Sequence, residues 1–326
     1  MTVFVTGAAG YIGSVVAERL LANGDAVVAF DNLVQGHRAA VPDGAQFVEG
    51  DLRDRAHLAE VLADVRPDAV MHLAAESLVG KSATDPAAFY DVNVTGGLNL
   101  LDAMRSAGVT RLVFSSTAAV YGEPSEVPIR EDAPLRPVNA YGASKLAFEH
   151  ALPWYASAYG LQHCSLRYFN ACGATAAHGE FHVPETHLVA ILIEVALGLR
   201  DEIRIFGTDY DTPDGTCIRD YVHVADIAEA HLLALARLGT LDTNAAALNL
   251  GNGAGFSNRE VVDAARRITG HAIPAVDAPR RPGDPATLVA SADRARSVLG
   301  WSPRYTTLES MIKTAWAWRK NRPRPY

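Results

Sequence analysis

The sequence predicts an α/β protein with a doubly wound parallel sheet and a smaller C-terminal lobe of mixed structure. Short apolar, β-branched runs alternate with helical patterns over roughly the first 170 residues, and a glycine-rich turn follows the first run. Beyond Gly173 the loops lengthen, and residues 207–215 are polar and rich in turn formers. We therefore expect one domain over residues 1–172 and a second over residues 173–326.

The first strand, turn and helix have the spacing of a dinucleotide-binding unit. Residues 3–5 are VFV and residues 6–13 are TGAAGYIG, directly before a segment with apolar residues at helical spacing. Gly7 permits a tight turn, Gly10 lets the backbone approach a pyrophosphate, and Gly13 lets the helix pack on the strand. The helix N-terminus then offers N–H groups and a partial positive charge to the phosphates.

The second predicted strand, residues 26–30, ends in Asp31, 18 residues after Gly13. A carboxylate at this position can accept hydrogen bonds from both hydroxyls of a dinucleotide ribose. Its charge would repel a 2′-phosphate, which favours NAD over NADP. His37 and Arg38 lie close in sequence and would weaken that preference.

The third and fourth predicted strands, residues 46–49 and 69–73, are each followed by candidate cofactor contacts. Asp51 lies where open α/β sheets bind ligands and could hold an adenine amino group. Asp51 could equally cap the helix predicted from Arg53 onward. Residues 74–77, AAES, are small enough for close approach of a cofactor, although small residues are common after strands.

The remaining elements follow from the same periodicities. The sheet continues with a helix over residues 85–107, a strand over 111–115, a helix from Tyr141 and a strand over 165–169. Pro153 should kink or end the helix from Tyr141 about three turns in. In the lobe we expect helices over 186–199, 258–269 and 306–319, and strands near 221–224 and 248–250 that return to the sheet.

Composition excludes several function classes. The formal charge is −8 and the basic residues are dispersed, which argues against a nucleic-acid partner. The longest apolar run, residues 188–199, is interrupted by Glu194 and is too short to span a bilayer, and no signal peptide precedes the first strand. Cys164, Cys172 and Cys217 lack metal-ligand spacing, and their odd number suits reduced thiols. We expect a cytoplasmic protein without a metal or membrane partner.

Tyr141 and Lys145 are the candidates for proton transfer. They lie four residues apart at the start of a helix and so share one face. Lowering a tyrosine pKa from ~10 to the ~7 that suits a proton shuttle requires roughly 4 kcal/mol. One ammonium at ~4 Å supplies about that much at an effective dielectric of ~20, so we expect Lys145 to lower the pKa of Tyr141. Thr117, at the end of the fifth strand, would share the substrate proton, and Lys145 would also bond the ribose beside a nicotinamide.

Taken together, the motifs resemble those of the UDP-glucose 4-epimerases, a group of the extended short-chain dehydrogenase/reductase family. The matching segments, in chain order, are TGAAGYIG, DNL, EGDLRD, FSSTAAVYGE, NAYGASK, LRYFNACG, DGTCIRDYVHVADIA and RRPGD. The resemblance implies a Rossmann-like fold, tightly bound NAD and a homodimer paired through helix 85–107 and the helix from Tyr141. It also implies an isomerase that interconverts UDP-galactose and UDP-glucose by transient oxidation at carbon 4.

The resemblance also assigns site residues. The implied catalytic set is Thr117, Tyr141 and Lys145. The implied cofactor contacts are Gly7, Gly10, Tyr11, Ile12, Gly13, Asp31, Asn32, Asp51, Leu52, Leu73, Ala74, Ala75, Ser77, Asn93, Tyr141, Lys145 and Phe169. The implied UDP-sugar contacts are Thr117, Asn170, His187, Leu188, Arg204, Phe206, Arg219, Arg281, Asp284 and Leu288. Guanidinium groups suit a diphosphate because they pair bidentately with its oxygens.

Three alternatives remain open at this stage. A nucleotide-sugar 4,6-dehydratase needs an Asp-Glu pair after the strand-end threonine, where this chain has Ala118 and Ala119. A non-catalytic NAD-sensing regulator typically lacks the Tyr/Lys pair that is present here. An epimerase for UDP-N-acetylhexosamines or UDP-pentoses differs mainly in one pocket wall. Leu288 matches the residue position on that wall, and its branched side chain predicts a preference for unmodified hexoses, with some turnover of the N-acetyl forms.

Overall fold

The structure is a computed structural model that describes residues 1–241, 246–281, 283–322 and 326. The elements of its first half are β1 (Thr2–Thr6), α1 (Tyr11–Ala22), β2 (Ala26–Asp31), β3 (Gln46–Glu49), α2 (Arg55–Val65), β4 (Ala69–His72), α3 (Val79–Ser82), α4 (Pro86–Tyr90), a π-helix (Asp91–Gly96), α5 (Gly97–Ala107), β5 (Arg111–Thr117), α6 (Ala140–Tyr159), β6 (Gln162–Tyr168) and β7 (Asn170–Cys172). The second half contains α7 (Leu188–Ala196), β8 (Ile203–Phe206), β9 (Ile218–His223), α8 (Val224–Arg237), β10 (Ala247–Leu250), β11 (Gly255–Ser257), α9 (Asn258–Thr269), β12 (Ala275–Ala278), β13 (Thr287–Leu288), α10 (Asp293–Leu299) and α11 (Leu308–Lys320).

In the part of the chain that the structure describes, seven parallel strands form the central sheet. Their order is β3-β2-β1-β4-β5-β6-β10, and every neighbouring pair is parallel. The strand order reverses between β1 and β4, and ligands of open α/β sheets bind at such a point. The predicted doubly wound parallel sheet is therefore confirmed.

Helices cover both faces of this sheet, which explains why its strands are apolar runs. Successive side chains of a strand point to opposite faces. In β1, Val3 and Val5 belong to the core on the side of α1 and α8, whereas Phe4 belongs to the core on the side of α2, α5 and α6. All three side chains have zero exposure. A strand buried on both faces needs apolar residues throughout.

Two helices differ from the sequence prediction. The helix predicted over residues 85–107 is helical almost throughout but passes through a π-helical stretch at Asp91–Gly96. There the Asn93 side chain bonds both backbone groups of Glu76, a tertiary contact that local periodicity does not encode. Helix α6 runs through Pro153 and ends only at Tyr159, so this proline does not end the helix, and the alternative that it kinks the helix stays a prediction.

The C-terminal half contributes one strand to the main sheet and forms a lobe with two smaller sheets. Strand β10 lies beside β6, whereas β9 pairs with β7, β11 and β13, and β8 pairs with β12. Of the two strands predicted to return to the main sheet, only the second does so. Among the described residues, no helix is long and apolar enough to cross a membrane.

Candidate active site

A cleft of about 2030 Å³ opens at the carboxyl ends of the parallel strands, between the sheet and the C-terminal lobe. It is lined by the glycine loop after β1, by the ends of β2 and β5, and by residues of α7 and β8 from the lobe. Of the site residues predicted from the sequence, all except Asn93 and Leu288 line this cleft. The two halves of the predicted site thus share one cleft.

The glycine loop has the geometry that its spacing predicts. Gly7 has a φ of +71°, and a Cβ there would lie 2.6 Å from the nitrogen of Ala74. A Cβ at Gly13 would lie 2.0 Å from the carbonyl oxygen of Gly7, so only glycine allows the helix to pack this closely. Gly10 caps α1 without a side-chain hydrogen bond. The first-turn N–H groups of α1 therefore face the cleft without a side-chain acceptor, as an anion site requires.

Asp31 connects the glycine loop to the end of β2. One carboxylate oxygen accepts a hydrogen bond from the N–H of Ala9 at 3.0 Å, and the other accepts one from Leu33 at 2.9 Å. Burial raises the pKa of Asp31, and these two backbone donors oppose the shift. Each oxygen keeps a lone pair for a further donor, so a ribose contact at Asp31 is sterically and chemically open and stays a prediction.

Asp51 is held by polar side chains at the cleft rim. Its carboxylate accepts hydrogen bonds from Asn32 at 2.9 Å and from Arg53 at 2.7 Å. The Arg53 guanidinium holds the pKa of Asp51 well below its ordinary value. The cap of α2 is Asp54, which accepts from the N–H of His57. The interpretation of Asp51 as the helix cap is therefore wrong, while the proposed adenine contact stays a prediction.

The three predicted catalytic side chains converge on one wall of the cleft. Asn139 caps α6 by accepting a hydrogen bond from the N–H of Gly142 at 2.8 Å, which sets Tyr141 in the first turn. The Tyr141 hydroxyl is hydrogen-bonded to the side chain of Thr117, at the end of β5. Lys145, one turn along α6, donates a hydrogen bond from Nζ to the carbonyl oxygen of Ser115 at 2.9 Å.

The electrostatics of this wall differ from the expectation. Burial raises the pKa of Tyr141, and the hydrogen bond to Thr117 only partly offsets the increase. Burial also lowers the pKa of Lys145 to about 7, although the charge of Glu149 opposes that change. The expectation that Lys145 lowers the pKa of Tyr141 is therefore wrong in this state. Because burial lowers its pKa to about 7, Lys145 supplies less positive charge to Tyr141 than the expectation assumed.

A buried ion pair supports the catalytic helix, and sequence reasoning missed it. Glu149, one turn beyond Lys145, pairs with Arg167 of β6 at 2.6 Å, and these two side chains are only 7% and 5% exposed. Ser116 donates a further hydrogen bond to the same carboxylate. The pair joins α6 to β5 and β6 and so fixes Tyr141 against Thr117. No local pattern signals it, because its members lie 18 residues apart in sequence.

The two predicted residues that do not line the cleft support its walls. Asn93 is 2% exposed and bonds both the backbone of Glu76 and the hydroxyl of Ser144. Leu288 packs against a buried cluster that includes Phe169 and Ala118. Phe169 itself lines the cleft. Leu288 therefore packs against a cluster that contributes to the wall, and its assignment as a specificity gate stays a prediction.

Arginines line the lobe side of the cleft. The Arg219 guanidinium is 9% exposed and forms an ion pair with Asp284, and it also donates to the carbonyl oxygen of Ile218. Arg281 is exposed, and its guanidinium lies 3.9 Å from the centre of the Phe206 ring. Arg204 is exposed and lies 3.7 Å from Glu202. These charges can meet a diphosphate in the cleft.

Four further polar side chains meet in front of α7, and only His187 was predicted. Glu180, His182, Glu185 and His187 bring their ligand-type atoms within 4.8 Å of one another. All four line the cleft. Acidic and imidazole side chains recur at short intervals just before the apolar helix, and this is the sequence signal that could have revealed the group.

The fold and the site define a dinucleotide-dependent enzyme with a Tyr/Lys proton-transfer pair. The family model described as the NAD dependent epimerase/dehydratase family matches residues 3–251. A match of this extent shows the family, and the chain belongs to it. The resemblance inferred from the sequence motifs is thereby confirmed.

Similar proteins agree with this assignment. The UDP-glucose 4-epimerase of Lacticaseibacillus casei is 50% identical over 99% of this chain and 98% of its own length. A crystal structure of a UDP-glucose 4-epimerase has a TM-score of 0.96 at 48% identity and covers 100% of this chain and 99% of its own. The structure of the Bifidobacterium longum UDP-glucose 4-epimerase in complex with NAD+ and UDP has a TM-score of 0.93 at 35% identity and covers all of both chains.

Proposed function

We propose that this protein is an NAD-dependent epimerase that interconverts UDP-galactose and UDP-glucose at carbon 4. The observation that carries the proposal is the single cleft, in which the glycine loop, the Tyr141–Lys145 pair and the lobe arginines meet. The glycine loop fits the cofactor because its first-turn N–H groups lack a side-chain cap and because any Cβ at Gly7 or Gly13 would collide with backbone. Full-length relatives with this activity in their names support the same assignment.

In this proposal, Tyr141 takes the proton of the 4-hydroxyl as the sugar is oxidised and returns it after the sugar has turned. When bound, NAD supplies the hydride acceptor and donor for carbon 4 and adds positive charge to the cleft. That charge matters because burial alone favours the protonated phenol. Thr117 shares the proton with Tyr141, and Lys145 bonds the ribose. Ala118 and Ala119 leave no second acid–base pair for elimination of water.

The diphosphate is the fixed end of the substrate in this proposal. Arg219, Arg281 and His187 bind it, while Asn170 contacts the sugar end and Phe169 borders the nicotinamide site. Arg219 is well placed for this role because Asp284 orients its guanidinium at the cleft. Anchoring one end while the other turns lets the 4-keto sugar present its second face. The cleft volume of about 2030 Å³ leaves room for this movement beside a dinucleotide.

The test is to incubate the purified protein with UDP-galactose without added NAD and to identify the product by nuclear magnetic resonance. We expect UDP-glucose, formed with the NAD that copurifies. A 4-keto-6-deoxy sugar would indicate the dehydratase, and no turnover would indicate an NAD-sensing protein. A rate with UDP-N-acetylgalactosamine or a UDP-pentose above that with UDP-galactose would indicate a different physiological sugar.

The finer assignments of assembly and location belong to the same proposal. A homodimer paired through α5 and α6 is supported by aromatic side chains that α6 presents to solvent, since Trp154 is 75% and Tyr159 is 54% exposed. Light scattering of wild type and Trp154→Glu tests it, and a monomeric wild type would contradict it. A cytoplasmic location is supported by three free, buried cysteines, and cell fractionation tests it.

A further inference from the structure

The four polar side chains in front of α7 are arranged around one nitrogen atom. Nδ1 of His187 lies 2.8 Å from a carboxylate oxygen of Glu180 and 2.9 Å from one of Glu185. The two carboxylates are 8% and 3% exposed, whereas the His187 side chain is 42% exposed. Because Nδ1 faces the carboxylates, the exposed part of the ring is the side that carries Nε2, and His187 lines the cleft.

We propose that Glu180 and Glu185 are positioning residues that hold His187 as an imidazolium, so that its Nε2–H binds the substrate diphosphate as a charged donor. This inference rests on the proposed function. Two buried carboxylates at hydrogen-bond distance from one nitrogen require a proton on it, and their paired charge requires a positive partner. An imidazolium meets both requirements and still has one donor left for a ligand.

The backbone fixes Glu185 in this arrangement. Its carboxylate accepts hydrogen bonds from the N–H groups of His182, Thr186 and His187. These donors lie at the entrance to α7, so the carboxylate cannot leave His187 without losing several bonds. The charge of Glu185 is thereby directed at the ring.

The surrounding charges leave His187 as the cation nearest to both carboxylates among the described contacts. His182 Nδ1 lies 3.6 Å from Glu180 and 3.8 Å from Glu185, beyond hydrogen-bond distance. Arg200 reaches only the backbone carbonyl of Glu185. Arg319, from α11, interacts with Glu185 and Glu194 through space.

Among the other titratable neighbours, the buried Tyr11 hydroxyl is bonded to the carbonyl oxygen of Gly173, and the Cys172 thiol interacts with Glu180; burial raises the pKa of both, so both stay neutral. Burial by itself would lower the pKa of His187, but the charges and hydrogen bonds of Glu180 and Glu185 outweigh it and hold that pKa well above its ordinary value. Hydrogen bonds from His187 and from the backbone N–H of His182, together with the charge of His187, likewise hold the pKa of Glu185 well below its ordinary value, against the effect of burial.

A metal ion is the other occupant that two imidazoles and two carboxylates could hold, and the distances disfavour it. Ligands at ~2.0–2.1 Å from a tetrahedral zinc ion are separated by about 3.3 Å. The two contacts of His187 are shorter, and the one to Glu185 has hydrogen-bond geometry. The geometry therefore favours a shared proton over a bridging ion.

The test compares Glu185→Gln, Glu180→Gln and a control, Glu194→Gln, in the NAD-loaded enzyme. Glu194 lies on α7 and pairs with Arg200, so its substitution removes the same charge nearby without touching His187. UDP-galactose is the probe because its diphosphate keeps a constant charge over the range used. Initial rates at about pH 6 and about pH 8.5 separate KM from kcat on either side of an ordinary histidine pKa.

We expect KM of wild type and of the control to change little between the two pH values. For the two positioning variants, KM should rise about tenfold or more at the higher pH, with kcat nearly unchanged, because neutral His187 loses a charge-assisted bond. Nitrogen-15 spectra of histidine-labelled protein, assigned with His187→Gln, should show an imidazolium in wild type and a neutral ring in the variants at the higher pH.

Three outcomes overturn the proposal. One is a neutral His187 in wild type at the higher pH, and another is a KM for both positioning variants that equals that of the control. The third is stoichiometric binding of Zn²⁺ that replaces the imidazolium signal and lowers KM, which would assign the group to a metal. A wild type that turns over no UDP-galactose would instead remove the proposed function, so the two failures are distinguishable.

Discussion

The sheet side of the cleft favours neutral side chains, whereas the lobe side favours charged ones. On the sheet side, burial raises the pKa of Tyr141 and lowers that of Lys145 to about 7, so neutral forms are favoured. On the lobe side, the pKa of His187 is held above and that of Glu185 below the ordinary value, so charged forms are favoured. Burial thus favours neutral groups where charged partners are few, and nearby partners of opposite charge favour charged groups.

This contrast matches the two tasks of the proposed reaction, which are proton and hydride transfer at carbon 4 and binding of the diphosphate. Proton transfer works best when the pKa of the acid–base group lies near the working pH, so in the proposal the positive charge of bound NAD offsets the effect of burial on Tyr141 in a site shielded from water. Anchoring a diphosphate requires positive charge that does not vary with pH.

Replacement of Tyr141 by phenylalanine is the strongest test of the sheet side of the cleft. The ring and its edge contact with Phe89 are kept, and only the hydroxyl that carries the proton is removed. We expect turnover of UDP-galactose to fall by at least ~10²–10⁴-fold, the range typical of a general acid–base group. A coupled assay for UDP-glucose measures the rate, with NAD content as the control for folding. Near wild-type turnover would remove Tyr141 from the mechanism.

Replacement of Lys145 by methionine should abolish turnover yet stabilise the NAD-free protein. The pKa of Lys145 is about 7 in the folded state against an ordinary 10.5. Between these values the unfolded chain binds more protons, so the free energy of unfolding of wild type rises with pH across that window. The free energy of unfolding of the variant should lack this rise with pH and should exceed that of wild type by about 3–4 kcal/mol near pH 7.

Urea denaturation of both proteins at several pH values measures this effect. The Lys145→Arg variant is the control, because its charge persists across the window and should leave the protein less stable throughout. Equal slopes with pH for wild type and Lys145→Met would mean that the lysine is charged in the folded state. The neutral character assigned to this side of the cleft would then be wrong.

Asp31 tests the link between the glycine loop and the cofactor. Asp31→Ala removes the acceptor for the N–H groups of Ala9 and Leu33 as well as the predicted ribose contact. We expect NAD affinity to fall about tenfold or more and the preference over NADP to narrow. Cofactor retained after gel filtration reports the change, and Asp31→Asn separates loss of charge from loss of the loop. Unchanged NAD content in the alanine variant would make Asp31 a structural residue only.

Leu288 should give the smallest effect, because it packs against the buried cluster that includes Phe169 and does not line the cleft. Leu288→Ser relaxes the packing behind that wall, and we expect the rate with UDP-N-acetylgalactosamine, relative to UDP-galactose, to rise by about 5-fold. Initial rates with both sugars measure the ratio. An unchanged ratio, or equal rates already in wild type, would show that sugar size is selected elsewhere.

The sequence predicted the elements whose pattern is local. The strand over residues 46–49 and the helix over 258–269 have the predicted bounds. The second of these is closed by a capping box between Ser257 and Glu260, which places its start signal directly in the chain. The glycine loop was predictable for the same reason, because its turn, its glycine spacing and its fit to phosphates all depend on eight consecutive residues, 6–13.

What the sequence could not predict depends on distant contacts. The π-helical stretch at Asp91–Gly96 follows from the bonds of Asn93 to the backbone of Glu76. The pKa of Lys145 is lowered by burial, which is not visible in a four-residue spacing. The convergence of Glu180 and Glu185 on His187 requires a folded loop. From the sequence, the positive charge on the lobe side of the cleft could therefore be assigned only to arginines.

The central claim is that carbon 4 is oxidised and reduced again by the same hydride while Tyr141 carries only the hydroxyl proton. Epimerisation of UDP-galactose in D₂O, followed by nuclear magnetic resonance at carbon 4 of the product, tests it most directly. A hydride that leaves to the cofactor and returns does not mix with solvent, so we predict UDP-glucose with hydrogen at carbon 4 and no deuterium there. Deuterium at carbon 4 would show that the carbon itself loses and regains a proton, and would contradict the account.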